Sequence, residues 1–344
     1  MRSVAILMSG IALTVPTLVA ASNTAALQLV RGVHPVMAVT LDGHTPARML
    51  IDTGAGRTVI AAGLVPRGAV VDICLTDTVC VKNLPVDTYA STYSKPQPGY
   101  YNGLIGWDIL SKLVTTIDYR SAQVHFGTPG TGSRLAYSLD QWGRPQAPIT
   151  IAGKPLGDML LDTGGSYVRV TDAQSQQLGD RFIAHGQEVS LTMGAPEMTT
   201  LSAPVPVCSA LVCAADVVLQ RARWPAVGGA YFRNFKVTLD GPGGAFYLLP
   251  DAPGAMRNAL LRFGLQLSPD DASQILLVAS ASPAGRAAVQ TTERLLSING
   301  KALEGLGYLG AMALLEDAGT PVVELQLQGV GSARTLVLRS VDSD

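Results

Sequence analysis

The sequence predicts a mainly β chain: two homologous β lobes followed by a smaller α+β unit. Three observations carry that prediction. Glycine and proline are abundant, 36 and 21 of 344 residues, a turn-rich proportion suited to many short strands. Two stretches of the chain repeat one another in register. Beyond residue 250 the repeat stops and a different pattern of strands and helices begins.

Composition bounds the function classes. Hydrophobic residues make up 47% and charged residues 15%, too apolar and too weakly charged for a disordered chain. The 25 basic side chains do not exceed the 26 acidic ones. Nucleic acid is therefore not expected as a partner, because no basic excess exists to neutralise phosphates.

Residues 1–21 read as an export signal. Arg2 precedes an apolar run over 4–21 that ends in Val19-Ala20-Ala21, small residues of the kind a signal peptidase reads. Cleavage after Ala21 would leave Ser22 as the mature start. An uncleaved anchor is the alternative, and Pro16 with the small residues near the end weighs against it. No Cys follows the run, which argues against a lipoprotein. No later stretch reaches the ~20 apolar residues of a membrane span, so none is expected after signal removal. The cysteines fall in two close pairs, Cys74 with Cys80 and Cys208 with Cys213. In an oxidising compartment, periplasmic or extracellular, these read as two local disulfides. His34, His44, His125 and His185 are scattered and no C-x-x-C occurs, so no metal site is expected.

The repeat places the candidate chemistry. Thr40-Leu41-Asp42-Gly43 leads to Met49-Leu50-Ile51-Asp52-Thr53-Gly54, and Thr150-Ile151-Ala152-Gly153 leads to Met159-Leu160-Leu161-Asp162-Thr163-Gly164. Each copy reads as a strand, a glycine turn and an apolar strand ending in Asp-Thr-Gly. Downstream, Leu104-Ile105-Gly106 running to Asp118 parallels Ala226-Val227-Gly228 running to Asp240. The repeated lobes span roughly 27–130 and 136–250. One Asp-Thr-Gly alone reads equally well as a turn carboxylate. Two in register within a duplication point to a paired-carboxylate site.

On these residues the chain resembles pepsin-like aspartic peptidases, and more closely the compact bacterial members of the retropepsin-like clan. The match covers 27–250 and rests on Ile51-Asp52-Thr53-Gly54-Ala55, Leu161-Asp162-Thr163-Gly164-Gly165 and the two hydrophobic-hydrophobic-Gly blocks. Ala55 after the first motif is more retropepsin than pepsin. The resemblance implies an exported aspartic endopeptidase acting on peptide or protein substrates, without cofactor. Asp52 and Asp162 would share a proton, because like charges at that range cannot both ionise cheaply. Thr53 and Thr163 would grip the opposite lobe. Gly54 and Gly164 would allow close backbone approach and a positive φ in a tight loop. With both motifs in one chain, a monomer is expected rather than a homodimer.

Family members cover the dyad with a hairpin flap from the first lobe. The hairpin over 71–86 is the candidate, with its tip at Thr76, Asp77 and Thr78 and with Cys74 facing Cys80. The Cys208–Cys213 pair falls after the hairpin matched to it in the second lobe, so the two disulfides read as unrelated. Both could equally staple surface loops. Tyr89, Tyr93, Tyr100 and Tyr101 are all open as a flap tyrosine. Ser166, after the second motif, reads as loop support, and no other nucleophile or phosphate motif is present.

After a linker near 250–254 the pattern resembles a bacterial PDZ domain over 258–344. Ser297-Ile298-Asn299-Gly300 is its most specific piece, although Thr292-Glu293 stands where that family usually has Gly-Asp. In the family a Gly-Leu-x-hydrophobic loop binds a peptide's C-terminal carboxylate beside a strand edge. Gly264, Leu265, Gln266 and Leu267 would do so here, or the unit would simply pack against the lobes. A helix is expected over 309–318, its apolar face in the core. A non-catalytic peptide-binding scaffold on the same fold is the alternative function.

Overall fold

The computed structural model describes residues 23–89, 101–179, 182–188, 197–209, 212–251, 259–268, 271–279, 282–317 and 319–341. They form a mainly β chain. The signal-like residues 1–21 and the candidate tyrosines Tyr93 and Tyr100 lie outside the described residues. Among the described residues no helix is long and apolar enough to cross a membrane.

The first part of the chain supplies β1 (Thr24–Val30), β2 (His34–Leu41), β3 (Thr45–Ile51), β4 (Val59–Ala61), β5 (Val70–Cys74), β6 (Cys80–Pro85), β7 (Asp87–Tyr89) and β8 (Gly103–Ile105). The one-turn helix α1 (Trp107–Leu110) and strands β9 (Val114–Asp118) and β10 (Gln123–Phe126) follow. Alternation decides which side chains are buried. Met37, Val39 and Leu41 of β2 enter one core together with Ala47, Met49 and Ile51 of β3. The chain reverses between these strands through Asp42 and Gly43 at φ 50° and 75°, conformations that Asp tolerates and Gly favours.

The second part runs through β11 (Ser133–Ala136), β12 (Ser138–Leu139), β13 (Pro145–Ile151), β14 (Lys154–Leu161), β15 (Val168–Val170), α2 (Asp172–Leu178), β16 (Phe182–Glu188) and β17 (Glu197–Ser202). It continues with β18 (Val205–Ser209), β19 (Val212–Val217), β20 (Leu219–Arg221), β21 (Ala226–Val227), α3 (Gly229–Phe232), β22 (Phe235–Asp240) and β23 (Ala245–Pro250). The pairings of the first part recur. β3 runs parallel to β8, Leu50 beside Leu104, and β14 runs parallel to β21, Leu160 beside Ala226. β4 closes antiparallel on β8 and parallel on β7, as β15 does on β21 and β20. The parts meet where β9 and β22 pair antiparallel. There Thr116 faces Thr238, 122 residues away, with their hydroxyls 2.8 Å apart. One buried core contains Ile51 and Ile117 together with Leu161 and Val237.

Cys74–Cys80 and Cys208–Cys213 are both disulfide-bonded. Their placement corrects the expectation that the two bonds are unrelated. Each joins opposed residues of a hairpin, β5–β6 and β18–β19. Cys74 lies opposite Thr40, and Cys208 lies opposite Thr150, the residue that matches Thr40 in the repeat. The additional hairpin β16–β17 precedes β18 and displaces the second pair along the sequence while leaving its place beside β13 unchanged.

The last part comprises α4 (Ala259–Phe263), β24 (Leu265–Leu267), β25 (Ile275–Val278), α5 (Pro283–Arg286), β26 (Arg294–Ile298), β27 (Lys301–Ala302), α6 (Leu303–Glu316), β28 (Val322–Gln328) and β29 (Ala333–Arg339). β24 pairs with β25, and the remaining strands form a sheet in the order β27-β26-β28-β29. Phe263, Leu267, Leu295, Met312 and Leu325 build its own core. Ser282 caps α5 by accepting the Gly285 N–H at 3.1 Å, and Asn299 and Gly300 turn β26 into β27. The helix expected over 309–318 begins earlier, because α6 spans a break at Gly307, where φ is 62°.

The two disulfides close loops of similar length, with sequence separations of 6 and 5. Replacing either pair by serine should lower stability by about 2 kcal/mol on the chain-entropy account. Urea unfolding should show both variants destabilised to a similar degree.

Candidate active site

Asp52 and Asp162 leave the ends of β3 and β14, where a parallel neighbour fixes the exit. The Asp52 N–H donates to Ile105 O at 3.0 Å, and the Asp162 N–H donates to Val227 O at 2.9 Å. The two loops are then bonded to each other. The Thr53 hydroxyl donates to Leu161 O at 2.6 Å, and the Thr163 hydroxyl donates to Ile51 O at 2.8 Å. Each hydroxyl also accepts the other threonine's N–H, at 3.1 and 3.0 Å. Both threonines are fully buried, so water cannot compete for these bonds. One turn later the loops are tied to the short helices, Trp107 N–H to Ala55 O and Gly229 N–H to Gly165 O, each at 2.7 Å.

The glycines set the distance between the carboxyls. A Cβ on Gly164 would lie 2.3 Å from Asp52 Cγ, and one on Gly54 would lie 2.5 Å from Asp162 Cγ. Each carboxyl thus packs on the opposite loop's backbone. Neither glycine is among those with positive φ. Close approach therefore explains the residue choice, and the expected positive φ does not.

The two acids are not equivalent. Asp52 Oδ1 accepts the N–H groups of Gly54 at 2.9 Å and Ala55 at 3.1 Å, while Asp162 Oδ1 accepts only that of Gly164, at 3.1 Å. Asp162 is additionally ion-paired through Oδ2 to the Arg169 guanidinium. Burial pushes the Asp52 carboxyl well above the usual carboxylate range, reinforced by the charge of Asp162 and a hydrogen bond between the two carboxyls. His34 sits beside the second loop, its Nε2 2.9 Å from Ser166 Oγ. Burial, aided by the charge of Arg31, lowers the imidazole to about 4, so it is neutral at the pH where most proteins work.

Around this centre lie residues that sequence reasoning missed. Arg169 occupies the position that matches Val59 in the repeat, and Val59 could not reach a carboxylate. Arg144 pairs with Asp140 at 2.7 Å, donates to Gly54 O at 3.3 Å and lies 4.7 Å over the Trp142 ring. Trp142 and Trp224, both exposed, meet edge to face at 6.3 Å. The available signal for Arg169 was an arginine standing where the first copy of the repeat has a valine.

Other expected site residues, Tyr101 excepted, are not brought to this centre. The tip residues Thr76, Asp77 and Thr78 lie at the far end of β2: β5 pairs with Thr40 and Leu41, while Asp52 follows the Val36–Leu50 end. Thr78 donates to Asn23 Oδ1 at 2.7 Å, and Thr76 and Asp77 line a shallow cleft with Thr24, Ala38 and Gly43. Tyr89 ends β7, and Tyr101 meets His34 edge to face at 6.3 Å. Gly264 has φ 78°, but its N–H donates to Leu260 O at 2.9 Å and closes α4. Leu265 and Leu267 are buried in the core of the last part, with Gln266 half-buried between them. Among the described residues no group of three or more His, Cys, Asp or Glu could hold a metal ion.

No protein-family model matches the chain, and no curated protein matches it significantly.

The raised carboxyl of Asp52 links the site to stability. The folded chain keeps this proton at pH values where the unfolded chain has lost it, so stability falls as pH rises from the ordinary carboxylate range towards the raised value. The slope is about 1.4 kcal/mol per pH unit for one group. Asp52→Asn removes that slope. Unfolding measured from about pH 4 upward should show the variant gaining on the wild type as pH rises.

Proposed function

We propose that the chain is an exported, single-chain aspartic endopeptidase, with a pepsin-like pair of β lobes and a PDZ-like C-terminal unit. The observation that carries this reading is the reciprocal placement of Asp52 and Asp162 on loops whose threonines bond each other and whose glycines admit the opposite carboxyl. Such a pair, holding one proton, supplies both catalysts that peptide hydrolysis requires. The Asp162 carboxylate takes a proton from water as its oxygen attacks the carbonyl carbon, and Asp52 gives its proton to the carbonyl oxygen. The tetrahedral diol then collapses as the C–N bond breaks. Asp162 returns its proton to the leaving nitrogen, and a diol hydroxyl re-protonates Asp52. One proton remains on the pair and no cofactor is required. Two disulfides are compatible with export.

A second reading is a peptide-binding protein that does not cleave. The Arg169 guanidinium favours it, because it lies on the carboxylate oxygen that an attacking water would use. The readings separate on one measurement: mass-spectrometric mapping of cuts in a denatured-protein mixture. For an endopeptidase, wild type cuts at acidic pH, and Asp52→Asn and Asp162→Asn each lose about 10²–10⁴-fold in rate. Full turnover by Asp52→Asn would rule out the dyad, and rate proportional to the first power of enzyme concentration excludes an obligate homodimer.

Arg169 makes a further difference. Arg169→Met removes the ion pair from Asp162 Oδ2, so its pH–rate profile should be displaced from that of the wild type. Arg169→Lys, which restores the charge, should return the profile towards wild type.

A further inference from the structure

An apolar patch beside Asp52 violates the alternation that governs the strands around it. Along β3, Ala47, Met49 and Ile51 face the main core, which leaves Arg48 and Leu50 on the other face. Arg48 is half-exposed there, yet Leu50 is only 1% exposed. Along β2 the same face carries exposed Ala38 and, nearer Asp52, Val36 at 1%. Val36 lies opposite Leu50, and Leu50 lies beside Leu104, so these side chains are contiguous across three strands. With Val30 they form an apolar cluster separate from the main core, and Ala55 and Tyr101 pack on its edge.

The patch borders the reacting groups. Leu50 precedes Asp52 by two residues, and Ala55 donates its N–H to the Asp52 carboxyl at 3.1 Å. A side chain resting on the patch therefore lies next to that carboxyl. In this structure the side chain resting there comes from the last part of the chain: Leu309 of α6 packs on the cluster while also touching the core of its own unit. The helix break at Gly307 stands two residues before it. The C-terminal end of the same helix is tied down by Glu316, which pairs with Arg31 at 3.1 Å in the turn between β1 and β2.

We propose that Leu309 of α6, seated on Val30, Val36, Leu50 and Leu104 and edged by Ala55 and Tyr101, blocks the patch next to Asp52 as an internal stand-in for an aliphatic substrate side chain. The inference rests on the peptidase reading and adds its regulation by the last part of the chain. Every side chain of the cluster and its edge except Tyr101 is aliphatic, so the patch selects leucine-like groups and rejects charged ones, which would lose their hydration without gaining a partner. Substrate and α6 compete for the same surface, and release of the Glu316–Arg31 pair frees it.

The test compares the full chain with Leu309→Ala and Glu316→Gln, and uses Ala313→Ser, an exposed change on the same helix, as control. The probe is a hexapeptide carrying a hydroxyethylene group in place of the central peptide bond, with leucine on either side of it. A matched probe carries aspartate at those positions. Calorimetric binding should tighten at least tenfold, about 1.4 kcal/mol, for the leucine probe in Leu309→Ala and in Glu316→Gln. It should stay unchanged in Ala313→Ser, and the aspartate probe should not tighten in any variant. Equal leucine-probe affinity in wild type, Leu309→Ala and Glu316→Gln would overturn the proposal. Because binding is read without turnover, tightening in a chain that cuts no substrate would refute the peptidase reading and keep the blocked patch. Cleavage unaltered by Leu309→Ala, together with unaltered binding, would do the reverse.

Discussion

The exchange of hydrogen bonds between Thr53 and Thr163 is the constraint on which the site depends. Each hydroxyl donates to a carbonyl just ahead of the opposite aspartate, Leu161 or Ile51, and accepts the opposite threonine's amide. The bonds are made without water and link parts of the chain 110 residues apart. They bring the ends of β3 and β14 into one loop pair, and only then do the glycines and carboxyls come within contact. Buried polar bonds of this kind add a modest net stability and a large geometric constraint, since breaking one partner leaves several others unsatisfied. The close approach of the Asp52 and Asp162 carboxyls is a consequence of that constraint.

On this nearly symmetric frame the chain imposes a polarity. Two amides serve Asp52, and one amide with a guanidinium serves Asp162. Symmetric acids would leave the proton's position to the substrate. Here the repeat diverges around the pair, Ala55 against Gly165 and Val59 against Arg169, and Arg169 brings a guanidinium to Asp162. Burial, with the charge of Asp162 close by, raises the Asp52 carboxyl well above the usual carboxylate range.

The sequence made the repeat, the two Asp-Thr-Gly loops and the cysteine pairs legible, because each is a short pattern at the end of an apolar strand. Equivalence of the disulfides was not legible. It depends on Thr40 and Thr150 as neighbours in the sheet, and the β16–β17 insertion hides that relation from residue counting. The candidate flap illustrates a related limit. Thr76 to Thr78 stand at a plausible distance along the chain, but pairing of β5 with the Thr40 end of β2 directs the tip away from Asp52. For Leu50 and Val36, strand alternation predicts exposure, because the pattern of one strand contains no information about a helix more than 250 residues later.

At the patch that helix makes two contacts of different character, while Leu260, Leu261, Leu277 and Ala279 of the last part pack on the main core elsewhere. The Arg31–Glu316 pair is mostly enclosed, with side-chain exposures of 18% and 9%. Such a pair gains little net free energy over its desolvation, although it fixes the geometry closely, and removing one partner strands the other. Leu309 supplies apolar burial, but it is shared between two clusters and leaves part of its surface in contact with its own unit when it withdraws from the patch. A contact that is specific in geometry and modest in energy suits an occupant that an incoming aliphatic side chain can replace. A fully apolar seam of the same extent would hold the helix permanently, because nothing in a substrate could compensate for the area exposed on opening. The ion pair and the shared leucine are thus the contacts on which the proposed exchange of Leu309 for an aliphatic side chain turns.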